Sequence, residues 1–146
     1  MPHFTCQRRI QFSDTDMAGI VHFSNFYLFM EEAEHEMFRS LGFKIVENQP
    51  DGSVVGWPRV RASCSFEAPA YYDDLIDIDI TVARVGVKSL TMSFQFRRGD
   101  LRLAFGELKT VYCRFEHGGK FRSIEIPAGF TEKLDEMARD SAAPRR

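Results

Sequence analysis

The chain has 146 residues, 44% of them hydrophobic, and a formal net charge of −2. That length fits one domain over residues 1–146, and the near-neutral balance lacks the basic stripe of a nucleic-acid binder. Three cysteines (Cys6, Cys64 and Cys113) without a Cys-x-x-Cys pair signal neither a disulfide framework nor a zinc site, and no apolar run is long enough to insert in a membrane.

In chain order, residues 4–12 read as a strand with Phe4, Cys6, Arg8, Ile10 and Phe12 on one face. A loop over 13–22 leads into a helix expected from Phe23 to Leu41, with an apolar stripe of Phe26, Phe29, Met30, Ala33, Met37 and Leu41. Glu31, Glu32, Glu34, His35 and Arg39 fall on its polar side, Ser24 or Asn25 suits its N-cap, and Gly42 its C′ position. Residues 44–55 read as loop. The period then changes to two, giving strands over 58–67, 75–85, 88–98 and 101–115, with a turn at Tyr71-Tyr72-Asp73-Asp74 and a hairpin at Arg98-Gly99-Asp100. The apolar parity flips between Phe105 and Leu108, which places a bulge at Gly106. A short helix over 128–139 carries Phe130, Leu134 and Met137 on one side.

These elements predict an α+β fold, a five-stranded antiparallel sheet around one long helix. So thin a sheet cannot cover such an apolar helix without leaving an edge, and fourteen Phe are available to fill the sheet–helix core, line an apolar pocket or cover a subunit interface. A homodimer or homotetramer is therefore expected.

The chemistry concentrates in Phe12-Ser13-Asp14-Thr15-Asp16-Met17-Ala18-Gly19-Ile20-Val21-His22-Phe23, a loop with two carboxylates running into a helix start. Helix N-termini present unpaired N–H groups and the positive end of a dipole, so a carboxylate facing them is a minimal kit for acyl transfer. Rival readings are turn or helix capping by the aspartates, and an EF-hand loop spoiled by Ala18 and Asn25 at ligand positions. An aspartyl-phosphate site would need a parallel α/β sheet. His22 is a candidate base or a carboxylate partner, Cys64 a core residue. Lys88, Arg84, Arg97 and Arg98 flank strands and are candidate phosphate contacts.

The loop segment resembles the N-terminal motif of the 4-hydroxybenzoyl-CoA thioesterase-like branch of the hotdog-fold superfamily. The likeness continues at Asn25-Phe26-Tyr27, Gly56-Trp57-Pro58, Ser65-Phe66, Tyr72-Asp73-Asp74-Leu75, Lys88-Ser89 and Ile124-Glu125-Ile126-Pro127. The resemblance implies a hotdog fold, dimers with joined sheets that often pair into tetramers, and active sites at the dimer interface. It implies metal-free, cofactor-free hydrolysis of acyl-CoA thioesters, with Asp16 as the catalytic carboxylate and the Phe23 N–H polarising the thioester carbonyl. It places a phosphate contact at Lys88, and Gly19, Val21, Ser89 and Arg84 are further candidates for substrate binding. Two positions depart from the pattern. Some relatives carry a His where Phe23 stands, and Gly86 and Val87 replace a basic pair. The expected activity is cytoplasmic hydrolysis of an acyl-CoA or acyl-carrier thioester. The alternatives are an acyl-thioester dehydratase using His22 and a non-catalytic acyl-CoA-binding module.

Overall fold

The structure is a computed structural model that describes residues 1–116 and 118–142, so the basic tail Ala143-Pro144-Arg145-Arg146, expected to be frayed, lies outside the described residues. Strand β1 (His3–Arg9) leads through a 3-10 turn (Phe12–Asp14) to helix α1 (Phe23–Ser40). Short strands β2 (Val46–Asn48) and β3 (Val54–Gly56) follow. The long strands are β4 (Arg59–Phe66), β5 (Leu75–Val85), β6 (Ser89–Arg98) and β7 (Leu101–Val111). Strands β8 (Cys113–Phe115) and β9 (Arg122–Ser123) and helix α2 (Ala128–Ala142) complete the order.

The main sheet is antiparallel in the order β1-β5-β6-β7-β4. Its register aligns Phe4, Ile80, Phe94, Gly106 and Cys64 in one row. Alternation of period two puts Ile76, Ile78, Ile80 and Val82 of β5, and Leu90, Met92, Phe94 and Phe96 of β6, on the buried face. That face wraps around α1, whose Phe26, Phe29, Met30, Ala33, Met37 and Phe38 are buried against it. Each fully buried side chain of this size stabilises the fold by about 1.5–3 kcal/mol.

Several local expectations change. β1 ends at Arg9, and Phe12, in the 3-10 turn, is 78% exposed rather than on the inner face. The 44–55 loop contains β2 and β3, which join β8 and β9 in a second sheet of order β2-β3-β8-β9. These strands are three residues or shorter, too short for a period-two pattern to register. The chain leaves β7 at Tyr112 to enter this sheet, so the single strand expected over 101–115 is two.

The bulge lies at Leu103, where the pairing steps from Phe96↔Ala104 to Arg97↔Arg102, and not at Gly106. Leu103 and Ala104 are consequently both buried, which resets the parity. Gly106 has another reason to be glycine: a Cβ there would overlap the Met30 sulfur of α1.

Glu34 is also corrected. It is fully buried, on α1, with Arg59 of β4 donating to both its carboxylate oxygens at 2.6 and 2.9 Å. Burial pushes its pKa up to about 7 against the pull of Arg59. A carboxyl raised in the folded state binds protons there that the unfolded chain has released. Its contribution is full below about pH 4.5 and is lost as pH rises toward 7. Stability should therefore fall by on the order of 3 kcal/mol across that window from this group alone. Glu34→Gln should flatten that part of the curve of thermal midpoint against pH.

Candidate active site

The loop between the 3-10 turn and α1 is built by backbone hydrogen bonds. Asp16 N–H donates to the Ile20 carbonyl at 2.8 Å and Gly19 N–H to the Asp16 carbonyl at 3.0 Å. Gly19 takes φ +81°, a left-handed conformation that closes this tight turn without strain. Thr15 bridges to Val21 and Ile20 to Tyr71, and Val21 N–H reaches the Ala70 carbonyl at 2.9 Å. The loop is thus tied to the segment that follows β4.

Asp16 is half-buried, and its Oδ1 accepts the Ala18 N–H at 2.8 Å. Its Oδ2 has no partner among the described residues. Asp14 differs: it is buried, and its Oδ2 accepts the Gln11 N–H at 2.7 Å and Arg8 Nη1 at 3.1 Å. The two aspartates therefore divide their work, Asp14 inward on structure and Asp16 toward open space.

The N-cap of α1 is His22, not Ser24 or Asn25. Its Nδ1 accepts the Ser24 N–H at 3.3 Å and lies 2.8 Å from Ser24 Oγ, which requires the neutral Nε2–H tautomer. The ring also stacks on Phe23, with centroids 4.7 Å apart. The Asn25 N–H is satisfied by the His22 carbonyl at 2.9 Å. The Phe23 N–H, alone in that first stretch, has no acceptor among the described residues. His22→Asn, which substitutes another capping side chain, should keep kcat within about threefold, whereas His22→Ala should cost about 1 kcal/mol in unfolding free energy. A hundredfold loss of kcat in His22→Asn would mean that the ring does chemistry.

Asp16 and Phe23 line one cavity of about 500 Å³ with Ile20, Val21, Phe26 and Phe66. Its other wall is Glu67-Ala68-Pro69-Ala70. Phe66 packs edge-on against Phe26 and Phe23, with centroids 5.5 and 6.3 Å apart. Glu67 is held by Arg102 at 2.5 and 2.6 Å, and those hydrogen bonds keep its carboxyl below the usual range. Of the residues expected at the site, Asp16, Val21 and Phe23 line this cavity, whereas Gly19 closes the turn before it and His22 caps α1 outside its lining. The sequence reading did not single out the 66–70 wall, for which the Ala-Pro-Ala break after β4 was the available signal.

Lys88, Ser89 and Arg84 are elsewhere. Lys88 precedes β6, and Leu90 aligns through Thr110 with Arg59, seven residues along β4 from Phe66. At the rise of a strand that separation is about 23 Å. Lys88 and Arg84 are exposed, without an ion pair among the described residues. Arg97 and Arg98, the other candidate phosphate contacts, are engaged by Asp79 at 2.5 Å and Asp74 at 2.8 Å.

Burial raises the thiols of Cys6, to about 12, with Glu36 adding to the effect, and of Cys64, to about 11. Neither is a thiolate nucleophile near neutral pH. Among the described residues no cluster of three His, Cys or acidic side chains is placed to hold a metal ion. None of the described helices is long and apolar enough to cross a membrane.

A long helix wrapped by a five-stranded antiparallel sheet, with a carboxylate loop at the helix start, is the hotdog fold of thioesterases. The family model of the thioesterase superfamily matches residues 18–105, and the chain belongs to that superfamily as a thioester hydrolase. Among its relatives, 4-hydroxybenzoyl-CoA thioesterase of Pseudomonas sp. (strain CBS-3) is 31% identical over 137 residues, covering 88% of this chain and 94% of that one. A 1,4-dihydroxy-2-naphthoyl-CoA hydrolase of Prochlorococcus marinus is 28% identical over 135 residues, covering 88% and 85%. A solved gentisyl-coenzyme A thioesterase superposes with a TM-score of 0.76 at 31% identity, covering 88% of this chain and 99% of that one.

Proposed function

We propose that this protein hydrolyses acyl-CoA thioesters to the free acid and CoA, with Asp16 as nucleophile or general base and the Phe23 N–H as oxyanion donor. One observation carries the reading. Asp16 and Phe23, which carry a carboxylate oxygen and a helix N–H without partners among the described residues, line the same apolar cavity. As nucleophile, Asp16 attacks the thioester carbonyl and expels CoA thiolate, and water then cleaves the mixed anhydride. As base, it takes a proton from water attacking the same carbon. In both routes negative charge grows on the carbonyl oxygen, where a preorganised N–H at the positive end of the helix dipole stabilises it by roughly 3–4 kcal/mol. CoA thiolate is a good leaving group, so no strong general acid is required. Neither a metal nor a cofactor takes part. The relatives' coenzyme A thioester substrates support the same class here.

The reading extends to a dimer. β4 is an edge of the main sheet, and Val60 and Phe66 on it are 57% and 48% exposed. A second copy pairing antiparallel along β4 would bury them and bring its Arg59 end beside this chain's Phe66 end. The partner's Lys88 would then approach this chain's Asp16 cavity, with Ser89 and Arg84 beside it, positioned for the phosphates of CoA.

Release of free thiol from a panel of short, long and aryl acyl-CoAs tests the activity. Turnover of at least one ester supports it, and inertness toward all of them would contradict it. Lys88→Ala should raise KM several-fold with kcat little changed, because a flexible point charge reads the remote phosphates and not the reacting carbon. If KM is unchanged and acyl-pantetheine is cleaved as well as the CoA ester, the substrate is a carrier-protein thioester.

A further inference from the structure

We propose that Arg8, on β1, is a positioning residue that fixes the spacing between the Asp16 loop and the oxyanion donor at the start of α1. This rests on the thioesterase reading above. The Arg8 guanidinium joins three separate pieces of chain. Its Nη1 donates to Asp14 Oδ2 at 3.1 Å and also to the Arg9 carbonyl. Its Nε donates to Glu32 Oε2, two turns into α1, at 2.9 Å. Its central carbon sits 4.8 Å from the centre of the Phe29 ring, so the helix also supports it from below.

Asp14 is the second half of the device. Its backbone carbonyl accepts the His22 N–H at 2.9 Å and Asn25 Nδ2 at 2.8 Å. Asp14 therefore grips the residue before Phe23 and the residue two after it, while standing two residues before Asp16. Whatever fixes Asp14 fixes both reacting groups relative to one another. The Asp14 carboxylate is only 12% exposed, and a carboxylate that buried is costly without a partner. Arg8 is its single cationic partner among the described residues. Without Arg8, the 3-10 turn would shift to rehydrate that carboxylate and carry the grip on His22 and Asn25 with it. The guanidinium fork suits this task and an ammonium does not, because Asp14 and Glu32 lie in different directions and are met by different nitrogens.

The test uses Arg8→Met, which keeps the apolar stem over Phe29, with Arg8→Lys and Arg8→Ala alongside. On an acyl-CoA that the wild-type protein cleaves, Arg8→Met should lower kcat by about 10- to 100-fold while KM stays within about threefold, as expected for misplaced reacting groups. Arg8→Lys should recover only part of the rate, and added guanidinium ion should restore activity to Arg8→Ala more than ammonium does. Hydrogen exchange supplies a readout that does not depend on turnover. The His22 amide should exchange at least about tenfold faster in Arg8→Met, with Ile80 and Phe94 in the sheet unchanged.

A normal kcat, an unchanged His22 exchange rate, or an equal rise at Ile80 and Phe94 would each overturn the assignment. The last outcome would make Arg8 a residue of general stability. If the wild-type protein cleaves no acyl-CoA, the proposed function fails, and the exchange comparison still decides whether Arg8 holds the loop to the helix.

Discussion

Replacing Asp16 with Asn is expected to lower kcat by about 10³-fold or more, a barrier increase of roughly 4 kcal/mol, while the fold survives. The asparagine side chain is nearly isosteric, and its amide oxygen can still accept the Ala18 N–H that now reaches Asp16 Oδ1. The loop geometry set by Gly19, Ile20 and Val21 depends on backbone bonds that the substitution does not touch. What disappears is the charge on the unpartnered oxygen, the only part that can attack a carbonyl or deprotonate water. The loss should therefore appear in kcat with KM little changed. Asp14→Asn should be milder, acting through the loop, because that carboxylate is already engaged by Arg8 and Gln11. A parent-like rate in Asp16→Asn, within tenfold, would remove Asp16 from the chemistry.

The double substitution Val60→Lys with Ala62→Lys is expected to give a folded monomer of 16.8 kDa whose activity is reduced by about 10²-fold or more. Both residues are exposed on the edge strand, Val60 at the bulge between Arg59 and Arg61 and Ala62 beyond it, so lysines there put charge along the edge and oppose its pairing with a second copy. β4 should still hold to β7, since the backbone register from Arg61 to Phe66 does not rely on those side chains. In the proposed dimer the second copy also covers the exposed Phe66 side of the Asp16 cavity, so separating the copies should cost more than the loss of Lys88 alone. Light scattering and thiol release on one sample check both parts. An unchanged oligomer, or a fully active monomer, would contradict the dimer.

The long elements were legible because their periodicity is enforced by burial on one face. Ile76, Ile78, Ile80 and Val82 in β5 and the stripe from Phe26 to Met37 in α1 announce a strand and a helix without further context. What escaped was decided by tertiary contact. Glu34 sits where the helix pattern called for a solvated side chain, and only the approach of Arg59 from a distant strand makes its burial tolerable. The parity flip in β7 is visible in the sequence, but its position points to the nearest glycine. The bulge needs no glycine, and Gly106 answers instead to the close approach of Met30.

The site was legible in the same graded way. Asp16, His22 and Phe23 are neighbours in sequence, so the loop-to-helix junction could be read directly. The Phe66–Ala70 wall comes from across the fold, and the short likeness at Ser65-Phe66 does not by itself tie it to the Asp16 loop. The cap was misassigned because Ser and Asn are the customary capping residues, whereas a neutral histidine nitrogen accepts the same N–H.

In the proposed mechanism the Phe23 N–H receives the thioester oxygen. The most direct measurement follows that amide by ¹H–¹⁵N correlation during titration with an acyl-CoA analogue in which a methylene replaces the sulfur, giving a ketone that cannot be hydrolysed. The Phe23 amide proton should move downfield on saturation, by more than any other amide of α1, as it acquires an acceptor. Saturable binding of the analogue with the Phe23 amide left at its free position would contradict that mechanism.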